Sequence, residues 1–241
     1  MTEIYETGAG RAVLLLHGGA GPMSVSAFGD LLAAELPAHV RVPTHPGWNG
    51  TPRPDHLDSV RDLARHYADL LDGSDEDDVT VIGNSIGGWI AAEIALCGSP
   101  RVGRVVIING VGLEVPGHPV ADFFSLTPPE LAALSYHDPE AFQIVPTEAQ
   151  RAAMPGNREA IAHYAGRTMQ DPTLAGRLAA VTVPVMVLWG QSDRIVDPAY
   201  GQAYADAIPG ATYRPLHGTG HLPQVETPKL ALDAVAEFIA G

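Results

Sequence analysis

The chain is short of several things, and each shortage narrows what it can be. It has one cysteine, Cys97, so no disulfide can close within it. Cys97 lies in an apolar stretch and reads as a buried small hydrophobe, with a catalytic thiol as the alternative. Basic residues are scarce, 14 Lys and Arg against 28 Asp and Glu, for a net charge of −14. Phosphate backbones need clustered cations, so neither nucleic acid nor an anionic membrane is expected as a partner. The excess of acid favours solubility. Charged residues make up only 17% and hydrophobic ones 46%, which excludes a disordered chain and a coiled coil. No apolar run approaches bilayer length; that at 12–16 is far too short. The start Met1-Thr2-Glu3-Ile4-Tyr5-Glu6 lacks the basic residues and apolar run of a secretion signal, and a cytoplasmic protein is expected.

What is present is a rhythm. The 241 residues suffice for one α/β domain with a large core and an insertion. Short apolar runs at 12–16, 40–42, 79–82, 105–108, 184–188 and 212–216 read as strands buried on both faces. Helical patterns at 26–36, 59–71, 86–96, 198–207 and 229–240 alternate with them. Such alternation predicts a mostly parallel, doubly wound sheet with helices on both faces. Two segments interrupt it. The acidic stretch 72–78 reads as a solvated connection, without the ligand spacing of a calcium loop. From 111 to 177 the strand rhythm stops, and Pro116, Pro119, Pro128, Pro129, Pro139, Pro146, Pro155 and Pro172 punctuate short helical pieces. That segment also holds Phe123, Phe124 and Phe142. It is expected to be a helical lid inserted after the fourth or fifth strand, with residues 1–110 and 178–241 as the core. An ordinary helical packing layer is the alternative. No internal repeat is visible.

The chemistry is concentrated where strands end. Gly83-Asn84-Ser85-Ile86-Gly87-Gly88 stands between the run Val79-Thr80-Val81-Ile82 and a helical pattern. A serine so placed is exposed on a sharp turn, where a base can take its proton. A serine hydroxyl is a weak nucleophile and needs that base, a partner to orient the base, and donors for the oxyanion. The base is expected to be His221, in a glycine-bearing loop after the last strand, in preference to His217 at the strand's end. The acid is expected to be Asp193 in Gly190-Gln191-Ser192-Asp193; nearby Asp197, followed by Pro198, reads as a helix N-cap. His17-Gly18-Gly19-Ala20-Gly21-Pro22 follows the 12–16 strand, and its glycines can turn amides toward a ligand. The amides of Gly19 (Ala20 is the near alternative) and Ile86 form the expected oxyanion pair. A phosphate-binding reading of this loop lacks the Gly-Lys-Ser/Thr ending. The order Ser85, Asp193, His221 is that of α/β-hydrolases, not of the chymotrypsin or subtilisin arrangements.

On these residues the chain resembles the α/β-hydrolase fold superfamily, in its single-domain, esterase-like form. The resemblance rests on His17-Gly18-Gly19, Gly83-Asn84-Ser85-Ile86-Gly87, Gly190-Gln191-Ser192-Asp193 and Gly220-His221, and on the ending His221-Leu222-Pro223-Gln224-Val225-Glu226-Thr227-Pro228. It covers nearly the whole chain apart from 111–177. Two positions depart from the usual pattern. His45 stands where an acidic residue is common, and Asn84 precedes the serine in place of His or Gln. His45 is expected to shape its loop, with Trp48 near the pocket, and Asn84 to alter the bonding around the serine. The glycine-rich 18–22 loop is also similar to that of meta-cleavage-product hydrolases, but Met23 follows Gly21-Pro22 where a glycine is needed.

The resemblance implies hydrolysis of a small carboxylic ester or thioester through an acyl-enzyme on Ser85, with no metal and no organic cofactor. The alternatives are a carbon–carbon bond hydrolase of the meta-cleavage type, and a non-catalytic small-molecule receptor on the same fold. Phe123, Phe124, Phe142 and Trp48 are the expected apolar pocket residues. Oligomeric state is not legible in the sequence.

Overall fold

The computed structural model describes residues 2–142 and 147–240. Among these, seven strands form one sheet: β1 (Ile4–Gly8), β2 (Arg11–Leu16), β3 (Ala38–Pro43), β4 (Val79–Asn84), β5 (Val102–Ile108), β6 (Val185–Gly190) and β7 (Thr212–Leu216). Their order across the sheet is β1-β3-β2-β4-β5-β6-β7. All neighbouring pairs are parallel except β1 with β3. The six foreseen strands are present, and β1 is the addition. Its sequence Ile-Tyr-Glu-Thr-Gly has no apolar run because the strand lies at the sheet's edge, half-buried at best. β7, at the opposite edge, accepts a proline, Pro215, paired in register with Trp189, as β3 does at its last residue, Pro43.

Successive side chains of the inner strands point to opposite faces, so a wholly apolar strand feeds two cores. Val13, Leu15, Ile82, Val106, Ile108, Met186 and Leu188 pack on one side with α1 (Met23–Glu35) and, at the chain's end, Ala231, Leu232 and Val235. Leu14, Leu16, Val81, Val105, Ile107 and Val187 pack on the other with α2 (Val60–Asp72) and α3 (Ile86–Cys97). Segment 111–177 departs after β5 and carries α4 (Pro128–Ser135), α5 (Glu148–Ala165) and α6 (Leu174–Leu178). Pro128 and Pro129 open α4, where missing N–H groups cost nothing. Pro155, by contrast, is accommodated inside α5 at an exposed position, so it does not punctuate the segment as expected. Pro146 lies outside the described residues. Three helices complete the chain: α7 (Pro198–Ala207), α8 (Pro223–Glu226) and α9 (Pro228–Ala240). Asp197 caps α7, accepting from the Tyr200 amide at 3.0 Å, as its Asp-Pro sequence predicts.

Cys97 is exposed rather than buried, because it is the last residue of α3 and lies beyond the buried stretch Ile86–Ala95 of that helix. No helix of the described residues is long and apolar enough to cross a membrane.

The topology places the site. After β2 the chain crosses to β3 on one side, and after β4 it crosses to β5 on the other. The carboxyl ends of β2 and β4 are neighbours, with Leu16 opposite Gly83. A crevice opens where the winding direction changes, and ligands of open α/β sheets bind there.

Candidate active site

Ser85 occupies the single residue between β4 and α3, with φ 56° and ψ −119°. A non-glycine residue is rarely held at positive φ, and such strain persists only where the surroundings impose it. Two close approaches impose it here. A Cβ on Gly83 would lie 2.0 Å from the Gly87 carbonyl oxygen, and one on Gly87 would lie 2.4 Å from that of Leu16. Glycine at both positions lets the turn close. The Ser85 amide donates to Ile108 O at 3.0 Å, bracing the turn against β5. Ser85 itself remains partly accessible to the crevice.

The loop after β6 brings in Asp193, 2% exposed, and the loop after β7 brings in His221, 6% exposed. Asp193 Oδ2 and His221 Nδ1 are 2.7 Å apart. The carboxylate is fully engaged. Its Oδ1 accepts from the amides of Ile195 at 2.8 Å and Val196 at 3.1 Å, and its Oδ2 also accepts from Asn109 Nδ2 at 2.6 Å. With Nδ1–H donated to a carboxylate, the His221 ring presents Nε2 as an acceptor. Ser85 and His221 line the same cavity.

Gly19 and Ile86 line that cavity too. Ile86 is the first residue of α3, where an amide has no acceptor within its helix. The Gly19 amide has no hydrogen-bond partner among the described residues. Ala20 lies beside them on the cavity wall.

Behind the Gly19 loop is a buried aromatic pillar. His17 Nδ1 donates to Gly18 O at 2.7 Å, while its Nε2 accepts from the His45 amide at 3.1 Å. His45 Nε2 donates in turn to His17 O at 3.1 Å, and its Nδ1 accepts from the Tyr67 hydroxyl at 2.7 Å. Each ring therefore has one donor and one acceptor position filled, which suits a neutral imidazole with a fixed tautomer. Burial pushes the His17 imidazole down to about 4 and that of His45 well below its ordinary range, the neighbouring His17 adding to the effect. His45 thus shapes its loop, as expected. Trp48 corrects the sequence reading. It is fully buried beneath the loop, stacked on Tyr164 and donating from Nε1 to Gly19 O at 3.2 Å, so it supports the site from behind and does not line the pocket.

The cavity has two compartments. The inner one, about 100 Å³, is bounded by Ser85, Ile86, Phe123, Ile161, Met169, Ile195 and His221. The outer one, about 280 Å³, is reached past Phe123 and Leu131 and is lined farther out by Tyr136, Phe142, Gln150, Asn157 and Arg158. Phe123 and Phe142 thus lie where the sequence reading puts them. Phe124 lines neither compartment, because its ring turns onto the core edge-to-face with Phe123 and beneath the Arg167 guanidinium. His217 is exposed just past β7, neither packed nor near Asp193, which leaves His221 alone at that carboxylate.

Several polar residues around the site carry no role in the sequence reading. Asn109 follows β5 at φ 46° and bonds Asp193; an Asn directly after a strand and before Gly110 is the signal for such a left-handed turn. Glu226 accepts from the Gly220 amide at 2.6 Å. Ser135 O accepts from the His221 amide at 2.6 Å. Among the described residues, no group of three or more His, Cys, Asp or Glu side chains is arranged to hold a metal.

A family model described as the alpha/beta hydrolase family matches residues 13–234. A 2-hydroxy-6-oxo-2,4-heptadienoate hydrolase of Pseudomonas putida is 26% identical, over 100% of this chain and 93% of its own. Among solved structures, a meta-cleavage product hydrolase from Pseudomonas fluorescens IP01 superposes with a TM-score of 0.80 at 20% identity, covering 99% of this chain and 94% of that one. A thermophilic esterase from Thermogutta terrifontis superposes with a TM-score of 0.78 at 23% identity, covering 99% and 93%.

Proposed function

The chain belongs to the alpha/beta hydrolase family and is a hydrolase, and on that footing we propose that it cleaves a small carboxylic ester or thioester through an acyl-enzyme on Ser85. Ser85 Oγ attacks the carbonyl carbon while His221 Nε2 takes its proton. Asp193 holds the His221 tautomer and stabilises the imidazolium. The amides of Gly19 and Ile86 receive the oxyanion. Collapse of the tetrahedral intermediate expels the alcohol or thiol, protonated by His221. Water, deprotonated by the same ring, then releases the acid and restores Ser85. The observation that carries this reading is the 2.7 Å His221–Asp193 contact beside a serine on a strained turn in one shared cavity.

The inner compartment supports a short apolar acyl group, because Ile86, Ile161, Met169 and Ile195 leave about 100 Å³ beside Ser85. The leaving group then occupies the outer compartment. Segment 111–177 serves as the lid over a core of residues 1–110 and 178–241, and the work is done on a small molecule in the cytoplasm. The test is Ser85→Ala with a chain-length series of p-nitrophenyl esters. Turnover is expected to fall by up to about 10⁶. Equal rates in the variant and the parent would refute the reading.

One observation favours a second reading. Arg158, on the wall of the outer compartment, has no carboxylate partner among the described residues; it holds Phe123 O and lies over the Phe123 ring. A substrate carrying a carboxylate suits that cation, and the relative from Pseudomonas putida is named for a dienoate. The reaction is then hydrolysis of a carbon–carbon bond beside a carbonyl. Loss of dienoate absorbance with inert p-nitrophenyl esters would select this reading over the first.

A further inference from the structure

Glu226 ends α8, five residues after His221, and is 8% exposed. It makes no ion pair with any described residue. Instead it collects three main-chain amides from two distant parts of the chain. Oε2 accepts from Gly220, the residue before His221, at 2.6 Å. Oε1 accepts from His137 at 2.7 Å and Asp138 at 3.1 Å, just past α4. A carboxylate is an acceptor at every lone pair, so it can satisfy donors on both sides at once, which an amide side chain cannot. The same stretch after α4 is stitched to the histidine and aspartate loops by other bonds. Ser135 O accepts from the His221 amide at 2.6 Å, Leu134 O accepts from the Arg194 amide at 3.1 Å, and His137 Nδ1 meets Ser192 Oγ at 2.7 Å. The loop that needs this support is pliable, with Gly218 at φ 61° and Gly220 two residues later.

We propose that Glu226 is a positioning residue for His221: it clamps the Gly220–His221 peptide to residues 137–138, so that the ring keeps Nδ1 on Asp193 and turns Nε2 toward Ser85. The inference rests on the proposed role of His221. It also divides segment 111–177 in function. The end of α4 and the residues after it are a fixed mount for the histidine loop, and motion that admits substrate is left to other parts of the segment.

The test is Glu226→Gln, nearly isosteric with the native side chain. Its NH₂ must face either the Gly220 amide or the His137 and Asp138 amides, donor against donor. Two readouts are taken: steady-state kinetics on a p-nitrophenyl ester, and the downfield proton resonance of the His221 Nδ1–H. The expected result is a fall in kcat of about 10- to 100-fold, KM within about threefold, and a shifted or exchange-broadened Nδ1–H signal. A folded E226Q with kcat and the Nδ1–H signal both unchanged overturns the proposal, even if it melts at a lower temperature. Should E226Q not fold, Glu226→Asp, which keeps the charge but is one methylene too short to reach both sides, decides by the same readouts. Failure of the underlying reading looks different. A parent whose ester hydrolysis survives Ser85→Ala removes the catalytic role of His221, while a displaced Nδ1–H signal in E226Q still establishes the clamp.

Discussion

The Asn84 side-chain amide donates to the main-chain carbonyl of His221 at 3.0 Å. The residue before the turn serine thus grips the histidine loop directly, and Asn84 Oδ1 accepts from Gln224 Nε2 at 3.1 Å on α8. The second Asn84 Nδ2 donation goes to Ile108 O at 3.2 Å. Asn84→Asp would set an acceptor-only group against two carbonyls, whereas Asn84→Ala only removes the bonds. Both variants are expected to lose kcat, Asp more than Ala, by about 1–3 kcal/mol of transition-state stabilisation for the aspartate. Steady-state kinetics on both variants check the order. Ala losing more than Asp would mean that volume, not bonding, matters at this position.

Asp193 accepts four hydrogen bonds, three of them from groups other than His221. Asp193→Asn leaves an amide facing donors and favours the wrong imidazole tautomer. A loss of up to about 10⁴ in kcat is expected, with little change in fold. Circular dichroism and single-turnover kinetics separate the two effects.

His17 and His45 make stability depend on pH. Burial lowers both rings below their ordinary range, His17 to about 4. The unfolded chain therefore binds more protons in the window between about 6.5 and 4, and stability falls as the pH drops through it. The contribution is complete above about 6.5, and by pH 5 His17 alone would cost about 2 kcal/mol. Urea unfolding at pH 7.5 and pH 5 measures the difference, and His17→Gln should flatten it. An unchanged slope in that variant would assign the effect to other groups.

Ile161 on α5 presses on the Gly19 loop: its Cδ1 lies 2.7 Å from where a Cβ on Gly19 would be. It also bounds the inner compartment. Ile161→Ala should lengthen the acyl chain accepted, raising kcat/KM for hexanoate relative to acetate esters by about tenfold. An unchanged preference would place the acyl group in the outer compartment.

The strands and the residues at their carboxyl ends were legible because both depend on local pattern. Apolar runs such as 79–82 are buried on two faces and announce themselves, and Gly83 and Gly87 advertise the tight turn around Ser85. β1 was not legible, since an edge strand needs no apolar run. Trp48 and Phe124 were misplaced because composition says that an aromatic side chain is buried, not which side of a loop buries it. Glu226 was visible only as part of a familiar ending. Two of its three partners are main-chain amides 88 and 89 positions away, and amides leave no trace in the identity of the residues that carry them.

Pro215 has a consequence at the other end of the sheet. β1, antiparallel to β3, forms one margin, and β7 forms the other. An open margin offers a row of unpaired donors and acceptors on which a stray strand from another molecule could grow. Pro215, fourth of the five residues of β7, supplies no N–H, so that row lacks a donor there. This acidic chain is thereby guarded against strand-to-strand self-association at the margin nearest its histidine loop.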